Sequence, residues 1–159
     1  FSGVFCQQLA QGKAELDCIG LCVDNASYKR LTREKGTTLN VTYRTDPPTH
    51  VRYPDQTFSL IFSVFVNRLA DLKLVLNECH RLLTTDGKVL LYLLADYSGL
   101  RKDWLGVRRH QNPKLYWRLR KEAISSEQQA KILESIKASN FGGGNLQTHG
   151  PFTRIELQK

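Results

Sequence analysis

The chain has 159 residues, 41% of them hydrophobic and 24% charged, with 11 Gly and 5 Pro, which excludes the disordered, collagen-like and coiled-coil classes and fits one domain, residues 1–159, around one core. Its longest apolar runs, 58–66 and 89–95, fall short of the ~20 residues a membrane-spanning helix needs, and no signal-peptide pattern opens the chain. Lys and Arg outnumber Asp and Glu 23 to 15, a net charge of +8 that admits an anionic partner without naming one.

The sequence contains no Met and opens at Phe1, which implies a segment upstream. Residues 4–13 read as a short helix, with Val4, Phe5, Cys6, Leu9 and Ala10 on a buried side. Residues 19–23 are apolar, rich in strand formers and too short for a helix, so they read as a buried strand ending at Asp24. A helix over 26–35, stopped by Gly36, leads to a half-exposed strand over 39–43, where Leu39, Val41 and Tyr43 alternate with Asn40 and Thr42. Consecutive prolines make 45–49 a loop, and Pro54-Asp-Gln is a second turn.

Residues 58–66 form an apolar strand long enough to be fully buried. Leu72, Val75, Leu76, Cys79, Leu82 and Leu83 then recur at helical spacing, so 70–83 is an amphipathic helix with His80 on its surface. Asp86-Gly87 supplies a turn before a buried strand over 88–95. Residues 101–121 carry eight basic side chains against Asp103 alone, nearly all of the net charge. Ser126 with Gln129 fits a capping box opening a helix to Ser139 with Ile132, Leu133 and Ile136 on one face. A glycine-rich flexible loop over 141–145 precedes a terminal hairpin of 145–148 and 152–157.

This order is an α/β plan: a mostly parallel sheet with helices on both faces and a C-terminal antiparallel hairpin. Such sheets bind ligands at the carboxyl ends of their strands. Those ends hold Asp24 and Asn25, then Asp46, then the run from Ser63 to Asn67, and then Asp96. An acid closing a strand in the position of Asp24 can accept hydrogen bonds from ribose hydroxyls; the plainer alternative is a strand-end turn that starts the next helix. Asp46 has a competing role in its own Asp-Pro turn.

Four cysteines, Cys6, Cys18, Cys22 and Cys79, include no C-x₂-C pair suited to structural zinc. Cys18 and Cys22 sit in an apolar stretch and read as buried reduced thiols, which points to an intracellular compartment. His50, His80, His110 and His149 share no ligand spacing, so no metal is expected, and no G-x-S-x-G elbow supports hydrolysis. Trp104, Arg108, Arg109 and Trp117 lie in the basic segment, where cations beside aromatic platforms suit single-stranded nucleic acid. The same composition also suits a solvated cap over a pocket.

The run Tyr53-Pro-Asp-Gln-Thr-Phe58-Ser-Leu-Ile-Phe-Ser63, then Glu78-Cys-His-Arg81-Leu-Leu, then Asp86-Gly87-Lys88-Val-Leu-Leu, resembles the middle of class I S-adenosylmethionine-dependent methyltransferases of the type 11-like group. The resemblance runs from Phe1 to the terminal hairpin, with 101–121 as a poorly matched insertion. It implies a Rossmann-like fold and S-adenosylmethionine as cofactor. Gly3 then corresponds to the last glycine of the cofactor loop, Asp24 with Asn25 to the ribose site, Asp46 to the residue beside adenine, and Ser63 to the backbone near the methionine moiety. Position 101–121 would be the acceptor-side cap, and the partner a small-molecule acceptor or RNA.

Three departures accompany the likeness. The family's central first strand and leading glycines would precede Phe1, which implies that the chain is incomplete or that another segment supplies that strand. Ser59 stands where the family has an acid, and Thr84-Thr-Asp86 replaces its usual Pro-Gly turn. No general base is nominated. The alternative expectation is an inactive methyltransferase-like domain serving as a structural or RNA-contacting part of a larger assembly.

Overall fold

The computed structural model describes residues 2–11, 15–22, 24–34, 40–64, 71–94, 111, 113, 114, 117, 123–149 and 152–159. The chain forms two compact units, Phe1–Arg52 and Tyr53–Lys159. Sequence expectations for 101–110 and for most of 111–121 lie outside the described residues.

The first unit alternates helix and strand: α1 (Ser2–Ala10), β1 (Cys18–Leu21), α2 (Asn25–Glu34) and β2 (Val41–Arg44). The two strands pair in parallel, from Cys18 opposite Val41 to Leu21 opposite Arg44. Backbone bonds from Cys18 N to Asn40 O (2.8 Å) and Cys22 N to Arg44 O (2.7 Å) carry the ladder past both ends. Parallel strands need a long crossover, here containing α2. Ala10, Cys22, Leu31, Val41 and Tyr43 form the core, with Cys6, Cys18 and Tyr28 packed against it. Gly20 is required by close approach: a Cβ there would lie 2.6 Å from Cδ1 of Tyr43, its cross-strand partner.

The second unit contains β3 (Phe58–Val64), α3 (Leu72–Leu82), β4 (Leu83–Leu94), α4 (Ser126–Lys137), β5 (Asn145–His149) and β6 (Phe152–Gln158). Its sheet runs in the order β3-β4-β6-β5. β3 is parallel to β4, and β6 is antiparallel to both β4 and β5, the expected terminal hairpin. Leu72, Leu76, Leu83, Val89, Leu91, Leu93, Ile124, Ile132, Ile136, Ile155 and Leu157 make the core. The amphipathic helix is present, with Leu72, Val75, Leu76 and Leu82 buried.

Four expectations are corrected here. β3 is not fully buried, since Leu60 is 49% exposed; as an edge strand it has a ladder partner on β4 alone among the described residues. Asp86-Gly87 does not precede the strand as a turn but lies inside β4, where Phe58 opposes Leu83 and Leu60 opposes Lys88. The extra residues on β4 make a bulge, and Gly87 fits it because a Cβ would lie 2.9 Å from Leu83 Cδ2 and 3.0 Å from the Thr84 carbonyl oxygen. The α4 capping box is one residue earlier than expected: Gln128 N donates to Ser125 Oγ (3.2 Å), and Ser125 N donates to Gln128 Oε1 (2.8 Å). His80 is half-buried rather than on the surface, its ring edge-to-face with Phe141 at 5.1 Å.

Arg81 explains why the spacing of Tyr53-Pro-Asp55 and Glu78-Cys-His-Arg81 matters. Its Nε and Nη2 donate to the two oxygens of buried Glu78 at 2.9 and 2.7 Å. Its Nη1 donates to the Tyr53 carbonyl at 3.0 Å and to the Asp55 carboxylate. Gln56, at φ 55°, donates its N–H to the Arg81 carbonyl at 3.0 Å. One planar fork thus ties the turn before β3 to the last turn of α3, a geometry an ammonium could not reproduce.

Burial raises the Cys79 thiol to about 12, with Glu78 adding to the effect. Burial likewise raises Cys6 to about 11, with Cys18 and Cys22 nearby adding to it.

Gly20→Ala is expected to destabilise the chain by about 1–3 kcal/mol, because the added methyl must displace the Tyr43 ring. Arg81→Ala is expected to lose about 2–3 kcal/mol by leaving Glu78 buried without its partner, with Arg81→Lys recovering less than half. Urea midpoints for the three variants against the parent check both.

Candidate functional site

In a parallel pair both strands end on the same side, so the residues after β1 and β2 are delivered together. Asp24 and Asn25 follow β1, and Asp46 follows β2.

Asp24 precedes α2 and is exposed. Its Oδ1 accepts the Ser27 N–H at 2.6 Å and its Oδ2 accepts the Ser27 hydroxyl at 3.1 Å, while its carbonyl accepts Tyr28 N–H at 3.1 Å. The Ser27 N–H is one of the donors that a helix leaves open at its start, and the Asp24 carbonyl takes the first intrahelical bond. The plainer role weighed for Asp24, starting the next helix, is therefore present in the geometry. Each carboxylate oxygen accepts more than one hydrogen bond, so the cap leaves acceptor capacity facing solvent. The Ser27 N–H, then its hydroxyl, hold this carboxyl below the usual carboxylate range. Asn25, the first residue of α2, is exposed beside it.

Asp46 has a different environment. Its side chain is buried, with Arg44 Nε on Oδ2 and Arg52 Nε on Oδ1, both at 2.7 Å. Arg52 first, and then Arg44, hold its carboxyl below the usual range. The sequence offers Asp46 a role beside adenine or in its own Asp-Pro turn; the structure makes it a doubly paired anchor. With both oxygens engaged by guanidinium groups, what Asp46 offers a neighbouring ligand is its backbone. Arg44 and Arg52 carried no signal in the sequence beyond proximity to an acid.

Gly3 lies in the first turn of α1, where backbone N–H groups have no intrahelical acceptor. Such a helix start favours an anionic group. Ser63 belongs to the second unit, half-buried near the end of β3 and opposite Leu91. Trp117 is described and 48% exposed, whereas Trp104, Arg108 and Arg109 lie outside the described residues. Among the described residues no group of three or more His, Cys, Asp or Glu could hold a metal ion, and no helix is long and apolar enough to cross a membrane.

Comparison with known proteins adds an independent finding. The family described as Methyltransferase domain matches residues 2–91, more than half of the chain. A SAM-dependent methyltransferase from Aquifex aeolicus superposes with a TM-score of 0.73 at 14% identity, covering 99% of this chain and 77% of its own. The [4+2]-cyclase SpnF gives 0.63 at 14% identity over 96% and 68% of the two chains. PigF, solved with SAH, gives 0.61 at 13% identity over 99% and 47%. At such identities these likenesses show the fold alone, and the presence of a cyclase among them illustrates why fold does not dictate reaction. No curated protein matches the chain.

A carboxylate held below its ordinary pKa contributes stability that is present above about pH 4 and lost as pH falls through its folded-state value. Asp46 is in this position, as is Glu156, held down first by Lys88. Asp46→Asn is expected to lower stability at pH 7 and to flatten the acid side of the stability curve between about pH 4 and pH 2, checked by urea unfolding across that range.

Proposed function

The chain belongs to the methyltransferase-domain family, and from that premise we propose that it binds S-adenosylmethionine at the carboxyl ends of β1 and β2 and transfers its methyl group to an anionic acceptor. S-adenosylmethionine is the methyl donor of this enzyme class; when bound it supplies a methyl carried on a sulfonium, which an acceptor atom displaces in line. The family match over residues 2–91 is the observation that carries the reading.

The residues of the first unit fit that cofactor. Asp24 offers an exposed, ionised carboxylate at the strand end, suited to the two hydroxyls of a ribose. Asn25 adds a side-chain amide beside it. The start of α1 around Gly3 offers backbone donors for the carboxylate of the methionine moiety. Asp46, fixed by Arg44 and Arg52, supports the loop after β2 and presents its backbone to the adenine. Methyl transfer asks the protein chiefly to align acceptor and donor and to exclude competing nucleophiles.

The acceptor side is assigned to 101–121. Its eight basic residues, with Trp104, Tyr116 and Trp117 among them, support an acceptor that carries negative charge, either a small anion or RNA. Phosphate contacts made by Lys and Arg give binding that weakens steeply with salt, whereas a small anionic acceptor releases few counterions. Charge reversal at Arg108 and Arg109 together with a salt titration separates these two acceptors.

Calorimetric titration of S-adenosylhomocysteine into the protein tests the cofactor site. Micromolar affinity is expected, weakened about tenfold or more in Asp24→Ala. No heat of binding from the folded protein overturns the reading.

A further inference from the structure

Both oxygens of Asp24 are hydrogen-bonded by Ser27, and the neighbouring Ala26 N–H is a lesser influence on the same carboxylate. A helix cap needs only one acceptor for the N–H of Ser27, and Oδ1 meets that need at 2.6 Å. The hydroxyl of Ser27 adds a second bond, to Oδ2 at 3.1 Å, which a cap does not require. Two anchors on two oxygens fix rotation about the bond carrying the carboxylate, so the plane of the group is set before any ligand arrives. The acceptor positions that remain on Oδ1 and Oδ2 lie in that fixed plane, side by side, on an exposed side chain. A pair of neighbouring hydroxyls is the ligand such a pair of oxygens matches.

We propose that Ser27 is a positioning residue for ribose recognition, locking the Asp24 carboxylate so that both oxygens receive a vicinal diol; this rests on the cofactor reading above. Ser27 acts through Asp24 and contributes by removing the rotational freedom that binding would otherwise have to quench. The charged and titratable groups that act electrostatically on Asp24 are Arg30 on α2 and Cys22 just after β1. Neither replaces the Ser27 hydroxyl, since Arg30 is the least of the influences lowering the Asp24 carboxyl.

The test is calorimetric titration of S-adenosylhomocysteine, from pH 3 to pH 8, into the parent protein, Ser27→Ala, Ser27→Thr, Asp24→Ala and the double variant Asp24→Ala/Ser27→Ala. Ser27→Ala is expected to weaken binding about three- to tenfold and to move the acid limb of the binding profile to higher pH. Ser27→Thr, which keeps the hydroxyl, should restore both. The double variant should bind no more weakly than Asp24→Ala alone, because Ser27 has nothing to position once the carboxylate is gone. A weakened Asp24→Ala beside an unchanged Ser27→Ala overturns the role of Ser27 and leaves the ribose site standing. Losses that add in the double variant also overturn it, since Ser27 would then act independently of Asp24. An unchanged Asp24→Ala overturns the ribose site itself, and the role of Ser27 with it.

Discussion

A parallel ladder has one end at which each strand hands the chain to its next segment, and everything proposed for the first unit depends on that geometry. With Leu21 opposite Arg44, the loops carrying Asp24 and Asp46 leave from the same edge of the pair. The two acids then divide the work according to solvent. Asp46, enclosed by Arg44 and Arg52, is an anchor; a buried carboxylate without such partners would be strongly unfavourable. Asp24, in water and held by neutral donors, keeps acceptor capacity to spend on a ligand. Identical side chains at the ends of neighbouring strands thus acquire different chemistry from their surroundings.

Much of the architecture was legible because it rests on periodicity. The helical spacing from Leu72 to Leu82 and the alternation around Val41 and Tyr43 are consequences of one face meeting a core, and both survive in the structure. What escaped was set by tertiary context. An apolar run does not say whether its strand has neighbours on both sides, so the exposure of Leu60 could not be read from β3. Asp86-Gly87 has the composition of a turn, yet hydrogen bonding to β3 before and after it turns the same residues into a bulge. Ser125 and Ser126 are chemically equivalent cap candidates, and only the backbone decides which one starts α4.

The site was legible at the level of position more than of role. Strand ends could be located, so Asp24 and Asp46 could both be nominated, but the partners that set their character are Ser27, Arg44 and Arg52. Ser27 is close in sequence and follows helix-cap spacing, a signal that was available. The spacing of Arg44, Asp46 and Arg52 has no comparable rule. The family motif was legible as a pattern without its cause, which is the fork of Arg81 joining Glu78, Asp55 and the Tyr53 carbonyl.

The cysteines give the fold a further property. Nucleophilic sulfur is thiolate, and a thiol raised to about 11 or 12, as at Cys6 and Cys79, holds almost none at neutral pH. While each unit is closed, the sulfurs of Cys6 and Cys79 hold little thiolate to meet an electrophile. Opening returns the thiol to water and to its ordinary acidity, and with it most of its reactivity. Because Cys6 belongs to the first unit and Cys79 to the second, the chain carries a separate chemical clock for the opening of each.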